Sequence, residues 1–255
     1  MLISLPIQAG LWGLLSGSAL VIGAAAGWFV PLSRRIIAGI MAFGAGVLIS
    51  ALSFELMEEA WQRGGGFAPI AGGFLGGAAI YTIANIIVAR LGAKHRKRSE
   101  SAARPAEGDV SHGNASALAI GALLDGIPEA IVIGVSMLEG GAVSLVAVTA
   151  IFLSNVPEGL SSAAGMKAEG KSPAFVFSLW AAIAAVVGVA SWLGYVAFEG
   201  VAPGAIAAVQ AIAAGAILAM VVDTMVPEAF EGTHDYAGAI AVTGFLAAFA
   251  LSKLS

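Results

Sequence analysis

The sequence predicts an all-α integral membrane protein with eight transmembrane helices. Of its 255 residues, 59% are hydrophobic and only 11% are charged, whereas soluble domains average about 25% charged residues. The apolar runs are continuous and do not alternate with polar residues, which is typical of helices and not of strands. Because backbone groups in lipid must be hydrogen-bonded within the protein, apolar runs of spanning length indicate transmembrane helices.

Eight apolar stretches reach the length of about 18 residues that indicates a transmembrane helix. We expect one helix in each, and a single transmembrane domain over residues 1–255. The segment after Met1 has no basic region and leads directly into an apolar run, so we interpret it as a retained first helix rather than a cleaved signal. The stretches are 7–29, 36–60, 67–91, 114–138, 142–166, 173–198, 203–230 and 236–253.

The orientation follows from the distribution of basic residues. Of the twelve Lys and Arg residues, ten fall on one predicted side and only Arg63 and Lys253 on the other. Since cytoplasmic loops carry the excess of Lys and Arg, both termini are predicted outside a plasma or inner cell membrane. A polar loop at about 92–113 would then be cytoplasmic. The ten are Arg34, Arg35, Arg90, Lys94, Arg96, Lys97, Arg98, Arg104, Lys167 and Lys171.

Two internal repeats organise the chain. Residues 124–130 of helix 4 share the frame Leu-x-x-x-Pro-Glu with residues 153–159 of helix 5. Residues 46–60 of helix 2 match residues 215–229 of helix 7, and these two helices are predicted to cross in opposite directions. The pattern predicts an inverted repeat of helices 1–3 and 6–8 around a central helix 4/5 pair, which is a transporter architecture that enzymes seldom need.

Acidic residues lie within the predicted spans, but no Lys or Arg lies well inside any of them. A charged side chain at the bilayer centre costs about 2.5–3.5 kcal/mol even on the lenient insertion scale. Several acids together therefore require a cation or protons as compensation. The acids are Glu55, Glu58, Glu59, Asp125, Glu129, Glu158, Asp223 and Glu228.

The positions of these acids predict a cation site at the membrane midplane. Asp125 and Glu129 lie near the middle of helix 4, and Asn155 and Glu158 near the middle of helix 5. Their spacings of four and three residues put each pair on one helical face, and the two antiparallel faces could form a cage. The remaining acids predict a pathway, with Glu55, Glu58 and Glu59 at the outer end and Asp223 and Glu228 at the inner end.

Three prolines within these helices support the same site. A proline in a helix interior leaves the carbonyl four residues earlier without its partner, and a free carbonyl is an oxygen donor suited to a hard cation. A kink required only for packing is the alternative reading of each proline. The prolines are Pro128, Pro157 and Pro227, and the carbonyls belong to Leu124, Leu153 and Asp223.

At these residues the chain resembles the ZIP (Zrt/Irt-like) family of metal-ion transporters, in its bacterial type. The resemblance covers the layout of nearly the whole chain. It implies eight helices, both termini outside, a long inner loop between helices 3 and 4, and a midplane metal site on helices 4 and 5. Segments 125–129 and 154–159 resemble the family's His-Asn-x-Pro-Glu-Gly motifs, and segment 223–229 resembles its His-Glu-x-x-Pro-Glu stretch.

The chain also departs from the family pattern, with a diverged metal site. Asp125 stands where the family has His, Thr224 stands where it has an acid, and residues 175–197 of helix 6 contain no charged side chain. The resemblance therefore implies one metal position rather than two. The implied metal ligands are Asp125, Glu129, Asn155 and Glu158, with Ser154 as a further candidate.

The expected function is that of a permease or secondary transporter, not an enzyme, moving a divalent cation toward the cytoplasm. The cation is the substrate and no organic cofactor is expected. Oxygen ligands favour Mn²⁺ or Fe²⁺, whereas the family resemblance favours Zn²⁺. The expected partners are metal ions and the lipid bilayer, with no nucleic acid. Overlapping Gly-x-x-x-Gly patterns in helix 3 make a homodimer a candidate assembly.

The sequence leaves two alternatives open. The chain could be a degenerate ZIP-like protein with a structural, regulatory or proton-handling role and no divalent-metal transport, because the family's His and helix 6 acid are missing. It could also be an intramembrane hydrolase that uses Asp125 with Asp223, or Ser161. No nucleophile and base occur together in a recognised spacing, which makes the hydrolase the weaker alternative.

Overall fold

The computed structural model describes residues 3–64, 66–90, 114–138 and 140–254. In these ranges the regular structure is helical and contains no strand, as the sequence predicts. The predicted cytoplasmic loop at 92–113 lies outside the described residues. The helices are α1 (Leu5–Phe29), α2 (Arg34–Ala51), α3 (Met57–Gln62), α4 (Phe67–Val88), α5 (Asn114–Ser136), α6 (Leu145–Ala168), α7 (Pro173–Phe198), α8 (Pro203–Met220), α9 (Val226–Thr233) and α10 (Ala237–Leu254).

Seven segments of the described chain are long and apolar enough to cross a membrane. Six of them agree with predicted helices to within a few residues. The seventh, Pro203–Leu254, has 52 residues, and as one straight helix it would measure about 78 Å, far more than the roughly 30 Å hydrocarbon core. It is divided at His234, where α9 ends and the backbone φ is +46°.

The direction of each part of this long segment is given by its contacts with α2. As α2 advances from residue 38 to 44, its neighbours in α9 and the turn before it run back from residue 232 to 225. As the same apolar segment advances from residue 39 to 55, its neighbours in α10 run forward from residue 240 to 252. The chain therefore reverses at His234, and α10 returns alongside α2.

Local sequence signals explain where the helices begin. The hydroxyls of Ser33, Ser144 and Ser172 accept hydrogen bonds from backbone N–H groups three residues later, at the starts of α2, α6 and α7. These N-caps satisfy donors that would otherwise be left without a partner at the end of a helix. Proline in the first turn of α1, α7 and α8 fits the same ends, because the missing N–H has no helical partner there.

Several helix pairs, the α2/α10 and α4/α8 pairs among them, approach until glycine backbones touch the backbone of the partner helix. In each of these two pairs, a side chain on either of two glycines would overlap a backbone oxygen of the other helix. Small residues at such contacts are characteristic of membrane helices, which associate through close packing. In the α2/α10 pair, Gly46 meets Ala241 and Gly244 meets Phe43; in the α4/α8 pair, Gly215 meets Phe74 and Gly77 meets Ile212.

Within the described ranges, two π-helical turns interrupt helical segments that are long enough to cross a membrane. Leu52–Leu56 joins α2 to α3, and Val221–Met225 joins α8 to α9. The second turn is followed by Pro227, but the first has no proline nearby, so its position was not predictable from proline signals. By contrast, α5 and α6 continue as α-helices through Pro128 and Pro157. Such π-turns frequently occur at functional sites.

The glycines of α4 provide a matched test of this packing. Gly77 lies against α8, whereas nothing lies within 4 Å of a side chain added at Gly76. We expect Gly77→Ala to lower stability by about 1 kcal/mol because of overpacking, or roughly 2–4 °C in the unfolding temperature. Gly76→Ala should leave the temperature unchanged or raise it, since Ala favours helix. Fluorescence-monitored unfolding in detergent measures both, and equal effects would contradict the described α4/α8 contact.

Candidate functional site

The central helices α5 and α6 bring the predicted ligands to the same depth. Ile133 of α5 shares a core cluster with Val148 and Ile151 of α6, and Ala122 shares another with Ala163 and Met166. The helices therefore run antiparallel. Along α5, Glu129 lies between the residues of these two clusters. Along α6, Asn155 and Glu158 also lie between them.

All five predicted ligands are buried. Exposure is 1% for Asp125, 2% for Glu129, Ser154 and Asn155, and 5% for Glu158, values as low as those of the apolar core. Carboxyl groups at such positions are destabilising unless hydrogen bonds or opposite charges compensate them. The sequence thus located the buried polar groups, and their partners determine what the site can do.

Asp125 has a partner that the sequence did not indicate. The Tyr81 hydroxyl donates a hydrogen bond of 2.6 Å to Oδ1 of Asp125, and the Tyr81 residue is 1% exposed. This contact connects α4 to α5 inside the bundle and orients the carboxyl group. A tyrosine in the middle of an apolar helix was the available signal, because a buried phenol usually requires a hydrogen-bond partner.

The α6 ligands are oriented by backbone carbonyls. Nδ2 of Asn155 donates to the carbonyl of Ser16 in α1 at 3.3 Å, and the Ser154 hydroxyl donates to the carbonyl of Ile151 at 2.9 Å. The Asn155 contact uses the amide nitrogen and not Oδ1. Both side chains keep an oxygen that can accept a hydrogen bond or coordinate a cation.

The structure places Glu228 beside α6, in an environment different from that of Asp223. The Ser161 hydroxyl donates to Oε1 of Glu228 at 2.6 Å, and Glu228 is 7% exposed. Ser161 lies one helical turn beyond Glu158, so Glu228 extends the polar column of α6. Asp223 is exposed in the π-turn before α9. The two acids predicted to line the inner pathway together therefore differ in environment.

The three outer acids also have separate environments. Glu55 accepts hydrogen bonds from Ser144 at 3.3 Å and from Ser252 at 2.6 Å, which connects the π-turn to α6 and α10. Glu58 is exposed and accepts from Gln62 at 2.8 Å. Glu59 forms an ion pair with Arg63, whose side chain is only 2% exposed. The predicted outer cluster thus consists of three differently bonded groups.

A complete acid cluster is not assembled in the described conformation. Among residues 3–64, 66–90, 114–138 and 140–254, no three His, Cys, Asp or Glu side chains form a group that could hold a metal ion. In this conformation a metal shell would therefore need oxygens other than those of three acids, such as amide, hydroxyl, backbone or water oxygens. The side chains of Asn155 and Ser154 in α6 supply such atoms in the same helix as Glu158.

No protein-family model and no curated protein matches this chain. The family resemblance noted from the motifs therefore has no independent support from these comparisons. The function is inferred from the chemistry of the buried groups and from the arrangement of the helices around them.

Proposed function

We propose that this protein transports a divalent metal cation across a membrane, on a plan like that of the ZIP family, and that it is not an enzyme. The observation that carries the proposal is the burial of three carboxyl groups, Asp125, Glu129 and Glu158, in helices that have no basic residue at that depth. Carboxyl groups at this depth would be costly if they were ionised without a cation beside them. A cation as substrate would account for their burial.

The donor set indicates the kind of cation. Glu129 and Glu158 would supply the charge that balances a divalent ion, while Asn155 and Ser154 would supply neutral oxygens. Asp125, held by Tyr81, would join this shell in a conformation other than the described one, in which no three acids of the described residues form a metal-binding group. All of these are hard oxygen ligands, which favour Mn²⁺ or Fe²⁺ over softer ions. Zn²⁺ remains a substrate to test because of the motif resemblance.

The close glycine contacts support an inverted repeat. An offset of 169 residues relates Phe43 and Gly46 of α2 to Ile212 and Gly215 of α8, and it also relates the π-turn at 52–56 to the one at 221–225. An offset of 167 residues relates Phe74 and Gly77 of α4 to Ala241 and Gly244 of α10.

Exchanging the two repeats therefore converts one set of helix contacts into the other. The contact of Gly46 with Ala241 becomes that of Gly215 with Phe74, and the contact of Gly244 with Phe43 becomes that of Gly77 with Ile212. A three-helix unit that occurs twice, in opposite orientations, would explain this correspondence. Such repeats are typical of transporters whose substrate site lies at the repeat interface.

The same arrangement gives a proposed topology. With the reversal at His234, Pro203–Leu254 would cross twice, for eight crossings in all. The ends of α1, α6 and α9 and the start of α2 would then face the cytoplasm together with their basic residues. Both termini would lie outside a plasma or inner cell membrane, in one transmembrane domain.

Uptake by reconstituted protein tests the proposed function. Liposomes that contain the purified protein should accumulate Mn²⁺, Fe²⁺ or Zn²⁺ above the level of empty liposomes. A competition assay then gives the order of preference among the three ions. Absence of uptake for all three, with intact protein and a sealed membrane, would contradict transport. A degenerate relative is the second candidate, favoured by the lack of a three-acid group in the described conformation, and it would give that negative result.

Tyr81→Phe tests whether Asp125 belongs to the site. Loss of the 2.6 Å hydrogen bond should leave the Asp125 carboxyl group less firmly oriented. Removing a residue that orients a metal ligand typically costs 10–100-fold in affinity, and we expect about tenfold here. Tyr236→Phe is the matched control, because Tyr236 is 73% exposed. Unchanged metal affinity in Tyr81→Phe, measured by titration calorimetry, would exclude Asp125 as an oriented ligand.

A further inference from the structure

A cavity of about 460 Å³ lies at the turn between α9 and α10, against the first turn of α2. Its polar lining includes Arg35, His234, Asp235 and Tyr236, and Ile240 contributes an apolar wall. These residues belong to the ends of long apolar helices. In the proposed topology the cavity would therefore open at the membrane–water boundary, at residues other than the buried acids of α5 and α6.

The cavity combines opposite charges. Arg35 is an exposed cation and Asp235 an exposed anion, and the His234 ring and Tyr236 hydroxyl add groups that can donate hydrogen bonds. A ligand with only negative charge would meet Asp235 unfavourably, and one with only positive charge would meet Arg35 unfavourably. A ligand that carries both a phosphate and an ammonium group would match both.

Apolar side chains lie beside these charges. Phe230 is 56% exposed and its ring packs edge-on against the His234 ring at 6.1 Å between centroids. Ile36, next to Arg35 in the chain, is 50% exposed, and Tyr236 is 73% exposed. Aromatic side chains at the boundary are suited to the headgroup region of a bilayer. This surface can accept acyl chains while the cavity holds a headgroup.

The backbone at His234 shapes the cavity. Its φ of +46° and ψ of −117° are unusual for a residue other than glycine. This conformation ends α9 and directs His234, Asp235 and Tyr236 into one short turn. Such conformations persist where the surrounding structure holds them and are frequent at ligand sites.

We propose that this cavity binds the headgroup of phosphatidylethanolamine, with the phosphate at Arg35 and the ammonium group at Asp235. Arg–phosphate contacts are strong and geometrically specific, and the ammonium group can donate hydrogen bonds to the Asp235 carboxylate. Phosphatidylcholine has the same net charge, but its trimethylated nitrogen has no N–H to donate. Phosphatidylglycerol has the phosphate without any ammonium group. Comparing the three lipids therefore distinguishes the contribution of the headgroup charges from that of the hydrogen bonds donated by the ammonium group.

Native mass spectrometry of the full chain in neutral detergent, with equal amounts of the three lipids, tests the proposal. Phosphatidylethanolamine should be retained preferentially, and Arg35→Gln and Asp235→Asn should each reduce its retention by about tenfold, the effect of one lost charge-assisted contact. Lys171→Gln and Glu169→Gln are matched controls on the same side of the protein, outside the cavity, and should retain the lipid as the wild type does. Unfolding temperatures verify that each variant is folded.

Equal retention of the three lipids, or unchanged retention in both cavity variants, would overturn the proposal. Stronger retention of phosphatidylglycerol would assign the cavity to anionic lipids instead. Competition by inorganic phosphate or free phosphoethanolamine at the same concentration as the lipid would assign it to a soluble ligand. Because metal uptake is not measured, the result does not depend on the proposed transport function.

Discussion

Replacing Glu129 or Glu158 with Gln is expected to abolish cation binding and uptake without unfolding the protein. Glutamine has nearly the same shape as glutamate but no charge. Each substitution therefore removes one of the two negative charges proposed to balance the divalent ion. Breaking a buried charge interaction by removing one partner costs about 3–5 kcal/mol. That range corresponds to a loss of roughly 10²–10⁴ in affinity.

The experiment compares metal titrations and liposome uptake for Glu129→Gln, Glu158→Gln and the double variant. Glu169→Gln serves as the control, because Glu169 is an exposed acid at the end of α6. The single variants should lose binding while retaining the wild-type elution profile and unfolding temperature. Wild-type affinity in the double variant would show that these two carboxyl groups do not form the site.

Most of the fold was predictable because lipid imposes one strong constraint on sequence. Apolar length alone located α1, α4 and α7 to within a few residues. The π-turn at Leu52–Leu56 was not predictable, because no proline marks it and its extra residue depends on how α2 and α3 pack around it. The eight-crossing topology and the inverted repeat remain proposals.

The site was predictable in depth but not in detail. Periodicity placed Asp125, Glu129 and Glu158 inside the bundle, and all three are buried. It could not identify Tyr81 as the partner of Asp125, because that contact depends on how α4 is rotated against α5. Contacts between helices far apart in sequence leave no periodic signal, whereas contacts within one helix do.

Arg63 has a contact with Glu59 that could have been predicted from the sequence. By sequence it counted only as one of two basic residues on the outer side. The structure buries its side chain and pairs it with Glu59, four residues earlier. Acid and base four residues apart on a helix are neighbours, so the spacing itself indicated the pair.

Glu59→Gln is therefore expected to destabilise the protein much more than the same change at its neighbour Glu58. Removing the Glu59 charge deprives the Arg63 guanidinium, 2% exposed, of this ion pair. The cost of breaking a buried pair is about 3–5 kcal/mol. Because Glu59 is 32% exposed, we expect the lower end of that range, or roughly 6–12 °C in the unfolding temperature.

Glu58→Gln is the matched control, since Glu58 is exposed and its hydrogen bond to Gln62 can be made by a glutamine oxygen as well. Its unfolding temperature should stay within about 2 °C of the wild type, as is usual for surface substitutions. The double variant Glu59→Gln/Arg63→Gln also lacks the buried Arg63 charge that Glu59→Gln leaves without this ion pair. It should therefore be more stable than Glu59→Gln alone. Equal unfolding temperatures for Glu58→Gln and Glu59→Gln would show that the pair contributes nothing to the fold, and that the burial of Arg63 is compensated by its other contacts.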